Sequence, residues 1–213
     1  MMKALVLGAT GAIGKDLVSQ LLQDEAFDRV DIFVRREVPA SSDKLVVHVV
    51  DFDHPEQWGG ELTGDVLFST LGTTIRAAGS QPAQWKVDYT YQLQAAQSAR
   101  KNGVPVYVLV SSVGADAKSM IFYSKMKGAL DRDVQALGFE GCFILRPPSL
   151  IRKGSDRLGE KIGVVALRAF NAIGLMRDFT PMPTEAVAAA MIRLAKSGRK
   201  GTGIFTSQEI LSI

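Results

Sequence analysis

Tyr123-Ser124-Lys125-Met126-Lys127 sets a phenol and an ammonium four residues apart. On a helix that spacing puts both on one face, so the two heads converge. A free tyrosine, with a pKa of about 10, is a poor acid near neutrality. A lysine ammonium beside it stabilises the phenolate and eases proton transfer. Ser111-Ser112 closes an apolar run one crossover earlier, and a hydroxyl there is suited to polarising a carbonyl. Ser112, followed by Val113-Gly114, is taken as that hydroxyl, with Ser111 second.

A second constellation stands at the start of the chain. Gly8-Ala9-Thr10-Gly11-Ala12-Ile13-Gly14 spaces its glycines by three, between a strand-like run and a helix-like one. The first supplies a turn with positive φ, the second lets a backbone approach a pyrophosphate, and the third lets helix and strand pack closely. The N–H groups opening the helix then face the phosphates. These features predict a dinucleotide site in which Thr10, Ala12 and Ile13 lie beside Gly8, Gly11 and Gly14. Where an acid would hold a ribose 2′-hydroxyl, the second strand ends in Arg35-Arg36, with Asp31 too early to serve. Two guanidiniums suit a 2′-phosphate, which points to NADP(H). Asp51, next to Phe52, is placed to accept from an adenine amine, and Lys127 to hold the nicotinamide ribose.

The elements that must position these groups alternate. Strands are predicted at Lys3–Leu7, Val30–Val34, Leu45–Val50, Val66–Ser69, Val106–Val110 and Cys142–Leu145, and helices at Ile13–Gln23, Pro82–Lys101 and Tyr123–Leu137. The strands are short, continuous and rich in Val, Leu and Ile, the pattern of strands covered on both faces. Strand–helix alternation of this kind implies a doubly wound α/β fold with a parallel sheet, in three layers. After Arg146-Pro147-Pro148 the rhythm changes. A basic loop with Arg152, Lys153 and Arg157 leads to an apolar helix at Val164–Ile173, a helix running from Thr184, read as its N-cap, to Lys196, and a last strand at Gly203–Thr206. One domain over 1–213 is expected, with a cofactor-binding core at 1–150 and a substrate-side, helical appendage at 151–213.

Composition narrows the classes. The chain has 213 residues, 46% hydrophobic and 22% charged, which are proportions of one globular domain. The net charge of +3 comes with no Lys/Arg run longer than two, so a nucleic-acid stripe is not expected. The first apolar run, Ala4–Leu7, is too short for a signal peptide, and no stretch reaches the ~20 apolar residues of a membrane span. Cys142 is the single cysteine, which excludes an internal disulfide and suggests a reducing cytoplasm. With two histidines, no zinc site is expected. Cys142, His48 and Trp58 read as packing residues.

The glycine motif, Ser111-Ser112 and Tyr123 to Lys127 together resemble the short-chain dehydrogenase/reductase superfamily. Leu71-Gly72-Thr73-Thr74, Val87-Asp88, Ser111 to Asp116 and Leu145-Arg146-Pro147 resemble more narrowly its atypical branch, which contains the Tat-interactive-protein-like oxidoreductases. The resemblance runs from about Lys3 to Ile151. It implies an NADPH-binding Rossmann fold, Leu71, Gly72, Thr73 and Pro147 against the cofactor, Tyr123 as proton donor, and a homodimer surface on the helices flanking Tyr123. Asp88 stands where many relatives carry an asparagine, and Tyr123 follows Ser112 by eleven residues, closer than in the superfamily's carbonyl reductases. The function expected is NADPH-dependent reduction of a carbonyl-like small molecule. The alternative is a non-catalytic NADP(H)-responsive regulator with a partner surface at 151–181, and a nucleotide-sugar isomerase ranks third.

Overall fold

The computed structural model describes residues 1–40, 42–151 and 181–213. The strands are β1 (Met2–Leu7), β2 (Phe27–Val34), β3 (Leu45–Val49), β4 (Val66–Ser69), β5 (Val106–Val110), β6 (Gly141–Leu145), β7 (Leu150–Ile151), β8 (Met182–Pro183) and β9 (Gly201–Phe205). The helices are α1 (Ala12–Gln23), α2 (Pro55–Trp58), α3 (Ile75–Ala78), α4 (Gln81–Trp85), α5 (Tyr91–Lys101), α6 (Phe122–Gln135), α7 (Thr184–Lys196) and α8 (Ser207–Ser212). Seven strands form one sheet in the order β3-β2-β1-β4-β5-β6-β9, every neighbouring pair parallel, while β7 and β8 pair separately. This is the Rossmann order with one strand added at its edge.

The uninterrupted apolar runs follow from burial on both faces. Along β1, Ala4 and Val6 enter one core while Leu5 and Leu7 enter the other. Side chains alternate across a strand, so a strand with helices on both sides needs apolar residues at every position. One core holds Ile13, Leu17 and Leu21 of α1 with Val187, Met191 and Leu194 of α7. The other holds Ala95, Ala96 and Ala99 of α5 with Leu130 and Val134 of α6.

Three departures from the sequence reading have physical causes. The helix expected over Pro82–Lys101 is broken into α4, a π-helical turn at Lys86–Thr90, and α5. Apolar periodicity reports a helix but not a one-residue change in its hydrogen-bond register. The last strand starts two residues earlier than expected, at Gly201, and joins β6 at the sheet edge. Thr184 is the first residue of α7 rather than its cap, the Pro183 before it being extended. The helix expected at Val164–Ile173, with the basic loop before it, lies outside the described residues. No helix among the described residues is long and apolar enough to cross a membrane.

Asp31, in the middle of β2, is fully buried. Around it stand Lys3 at 3.1 Å, Arg29 at 2.6 Å and His48 at 2.9 Å. Burial alone would raise its pKa, but hydrogen bonds from Arg29, His48 and Lys3 outweigh that and hold the carboxyl below its ordinary value. Asp31→Ala is expected to cost about 2–3 kcal/mol, under the roughly 3–5 kcal/mol for a wholly buried pair because the cations keep water. Urea midpoints measure this. The wild-type advantage is present at neutral pH and fades as pH falls below the ordinary aspartate value of 3.8, because the folded state favours the charged form.

Candidate functional site

The loops after β1, β2, β4 and β5 meet at the carboxyl ends of the strands, where open parallel sheets bind ligands. After β1, Gly8 turns at φ +80°, and a Cβ there would stand 2.6 Å from the Thr70 carbonyl carbon. Gly11 N–H donates to the Gly8 carbonyl at 2.9 Å. A Cβ at position 14 would stand 2.0 Å from that same carbonyl oxygen, so α1 rests directly on the turn. No side chain caps α1 and no acid sits in its first turn, which leaves its opening N–H groups to an anion.

Two cavities line this end of the sheet. One, of about 430 Å³, is bounded by Gly8, Thr10, Gly11, Arg35, Phe52 and Tyr91 among others. The second, of about 590 Å³, is bounded by Ala12, Ile13, Lys15, Ser111, Tyr123 and Lys127 among others. Both share Thr10, Gly11 and the loop Thr70-Leu71-Gly72-Thr73, which makes them one cleft. Gly14 lies beneath the turn. Arg36, Asp51, Ser112 and Pro147 do not line the cleft. Arg36 is exposed. Asp51 is also exposed, and its Oδ1 accepts from the Asp53 backbone at 2.9 Å. Ser112 Oγ donates to the Val113 carbonyl at 3.3 Å, and Pro147 is buried with its carbonyl accepting from Val113 N–H at 3.1 Å.

The loop after β4 is clamped from behind by Asp88, which the resemblance had singled out, and by Gln84 and Gln92, which the sequence reading did not name. Asp88 Oδ2 accepts from Thr73 N–H at 2.8 Å, and Gln84 Nε2 donates to the Thr73 carbonyl at 3.0 Å. Gln92 Nε2 donates to the Leu71 carbonyl at 3.2 Å, and Ser69 Oγ donates to Gln92 Oε1 at 2.7 Å. Gln84, Asp88 and Gln92 repeat every fourth residue and are all buried. Nearer the mouth, Lys86 Nζ lies 2.6 Å from Asp53, which also accepts from the Tyr91 hydroxyl at 2.5 Å.

Tyr123 is the second residue of α6 and 40% exposed. Lys127, one turn on, is buried, with its Nζ 3.3 Å from Asp88 Oδ1. Burial raises the Asp88 pKa against the opposing pull of Lys127 and the Thr73 N–H. The next residue, Gly128, fixes α6 against the loop after β5, since a Cβ there would stand 2.2 Å from the Asp116 and Ala117 backbone. Asp116 N–H also donates to the Ser124 carbonyl at 3.0 Å. This geometry brings the Tyr123 phenol, the buried Lys127 and Ser111 to one end of a cleft whose other end carries Arg35.

Gly14→Ala should separate α1 from the turn, lowering stability by about 1–3 kcal/mol as overpacking does. It should also weaken dinucleotide binding, because the opening N–H groups of α1 move with it. Denaturant unfolding and titration calorimetry check the two effects.

A family model described as NAD(P)H-binding matches residues 8–197. The protein named FMP52, mitochondrial, of Saccharomyces cerevisiae is 34% identical over 223 residues, covering 100% of this chain and 96% of that one. Its namesake in Emericella nidulans is 40% identical over 156 residues, covering 69% of this chain and 66% of that one. Among solved structures, MoeE5 in complex with UDP-glucose and NAD superposes with a TM-score of 0.71 at 18% identity, over 99% of this chain and 80% of that one. The Helicobacter pylori ADP-L-glycero-D-manno-heptose-6-epimerase gives 0.69 at 19% identity, with the same coverage. At such identities the likeness is one of fold. The expectation of a cytoplasmic protein is corrected by these relatives, which are named mitochondrial. A lone buried thiol separates oxidising from reducing surroundings and carries no further address. Model and relatives agree with the glycine turn and the cleft behind it, and they are consistent with the resemblance to the atypical short-chain dehydrogenase/reductases: the chain belongs to the NAD(P)H-binding family.

Proposed function

We propose that the chain is an NADPH-dependent oxidoreductase that reduces a carbonyl-like small molecule. The observation that carries this reading is the continuity of the cleft, with Arg35 at one end and Tyr123, Lys127 and Ser111 at the other. Bound in it, NADPH would supply the hydride. The first turn of α1 and the Gly8–Gly11 turn hold the pyrophosphate, and Arg35 pairs with the 2′-phosphate. Phe52 and Tyr91, their ring centroids 5.4 Å apart, offer apolar surface to the adenine. Tyr123 gives its proton to the substrate oxygen from the open side of the cleft. Lys127 holds a positive charge next to it, itself fixed by Asp88, and Ser111 lines the cleft beside them.

Two measurements test this. Tyr123→Phe should lower NADPH-dependent turnover by about 100-fold or more, the range of acid–base contributions, and leave NADPH affinity within about twofold. A panel of carbonyl and quinone substrates supplies the turnover. If the wild type binds NADPH but consumes it with none of them, the chain is a non-catalytic NADP(H)-responsive protein instead. Arg35→Ala should weaken NADPH by about tenfold, near 1.4 kcal/mol, with NADH changed little. A wild type that prefers NADH overturns the cofactor assignment.

A further inference from the structure

The cavity beside Arg35 has two walls drawn from different parts of the chain. One is the loop after β3, through Phe52, and the other is the π-helical turn with the start of α5, through Lys86 and Tyr91. Asp53 joins them. Its Oδ1 stands 2.6 Å from Lys86 Nζ and accepts from the Tyr91 hydroxyl at 2.5 Å, so one carboxylate oxygen takes both. The Lys86 ammonium also lies 5.7 Å from the centre of the Tyr91 ring, within cation–π range.

The three partners are not equally fixed. Asp53 N–H donates to Asp51 Oδ1 at 2.9 Å, while the Asp51 carbonyl accepts from the Trp58 indole at 2.8 Å and from His54 N–H at 3.1 Å. Trp58 is itself buried against Phe33 and Phe52. The acid therefore projects from a loop anchored in the core. Tyr91 is held by its ring, which packs on Phe52. Lys86 is half exposed on a flexible stem, so it is the arm that can swing. Hydrogen bonds from Lys86, and then from Tyr91, hold the Asp53 carboxyl below its ordinary value, which keeps it charged at neutrality.

We propose that Asp53, Lys86 and Tyr91 form a clasp on the outer side of this cavity, which keeps the adenosine half of the dinucleotide against Phe52 and Tyr91 and opens by the swing of Lys86. The inference rests on the reading of this cavity as the adenosine end of the cofactor site. Asp53 is a positioning residue, since it acts through the two side chains that line the cavity. The clasp opens readily because a half-exposed ion pair is held only weakly in water. While it is closed, Asp53 neutralises Lys86 and leaves recognition of a 2′-phosphate to Arg35. The clasp is therefore blind to that phosphate and acts on NADPH and NADH alike.

The test compares the wild type with Asp53→Asn, Lys86→Met and the double variant. Asparagine keeps an acceptor for Tyr91 and methionine keeps most of the lysine stem, so each change removes one charge and little else. Stopped-flow fluorescence follows NADPH dissociation, and fluorescence titration gives Kd for NADPH and NADH. Each single variant should raise the NADPH dissociation rate about two- to fivefold, the range of an exposed ion pair. The same factor should appear in the Kd of both cofactors. The double variant should be no worse than the worse single one, because a pair can be lost only once. Added salt should narrow the gap between the wild type and the variants. Unchanged rates in the single variants, a double variant equal to the product of the two, or a loss confined to NADPH each overturn the clasp, and the last makes Lys86 a phosphate ligand instead. A wild type that binds neither cofactor overturns the reading of the cavity, and the clasp falls with it. Normal wild-type binding with unaltered variants removes the clasp alone.

Discussion

The carbonyl oxygen of Gly8 occupies the place where a side chain at position 14 would begin. Only with hydrogen there can α1 lie on the turn that follows β1, and only then do its unpaired N–H groups open toward the cleft. The turn itself presses against the Thr70 backbone, so it also sets how near the loop after β4 can come. That loop is fastened from the other side by Gln84, Asp88 and Gln92. Asp88 reaches Lys127 in turn, which links the glycine turn to the tyrosine helix through backbone contacts and one buried charge pair.

That charge pair also shapes the chemistry. Lys127 and Asp88 are both out of water, where removing either partner leaves an uncompensated charge. The π-helical turn at Lys86–Thr90 is what carries Asp88 to this position between α4 and α5. π-turns inside helices recur at functional sites because they re-aim one side chain without ending the helix. Here the re-aimed side chain holds both the loop after β4 and the lysine.

The fold was legible in the sequence because double-sided burial writes itself as unbroken apolar runs, and the glycine spacing marks the first crossover. The site was legible only up to parity. At three strand ends the sequence offers two neighbours, and in each case one of them lines the cleft: Arg35 but not Arg36, Phe52 but not Asp51, Ser111 but not Ser112. Side chains alternate along a strand, so adjacent residues face opposite ways as the chain leaves the sheet. Ser111 continues the row of Tyr107 and Leu109, which pack with α5 and α6, and that row could have been counted. The clamp of Gln84 and Gln92 was not legible, because the segment around them is polar at many other positions and their four-residue repeat does not stand out.

The two ends of the cleft stand on different foundations. The α1 helix, whose uncapped start opens on the cleft, belongs to the core it shares with α7, whereas α5 and α6 belong to the core on the opposite face of the sheet. Damage to the first core therefore loosens the glycine turn before it disturbs Tyr123 and Lys127, and damage to the second does the reverse. A family built on this plan can revise its chemistry on one side of the sheet while inheriting its cofactor from the other.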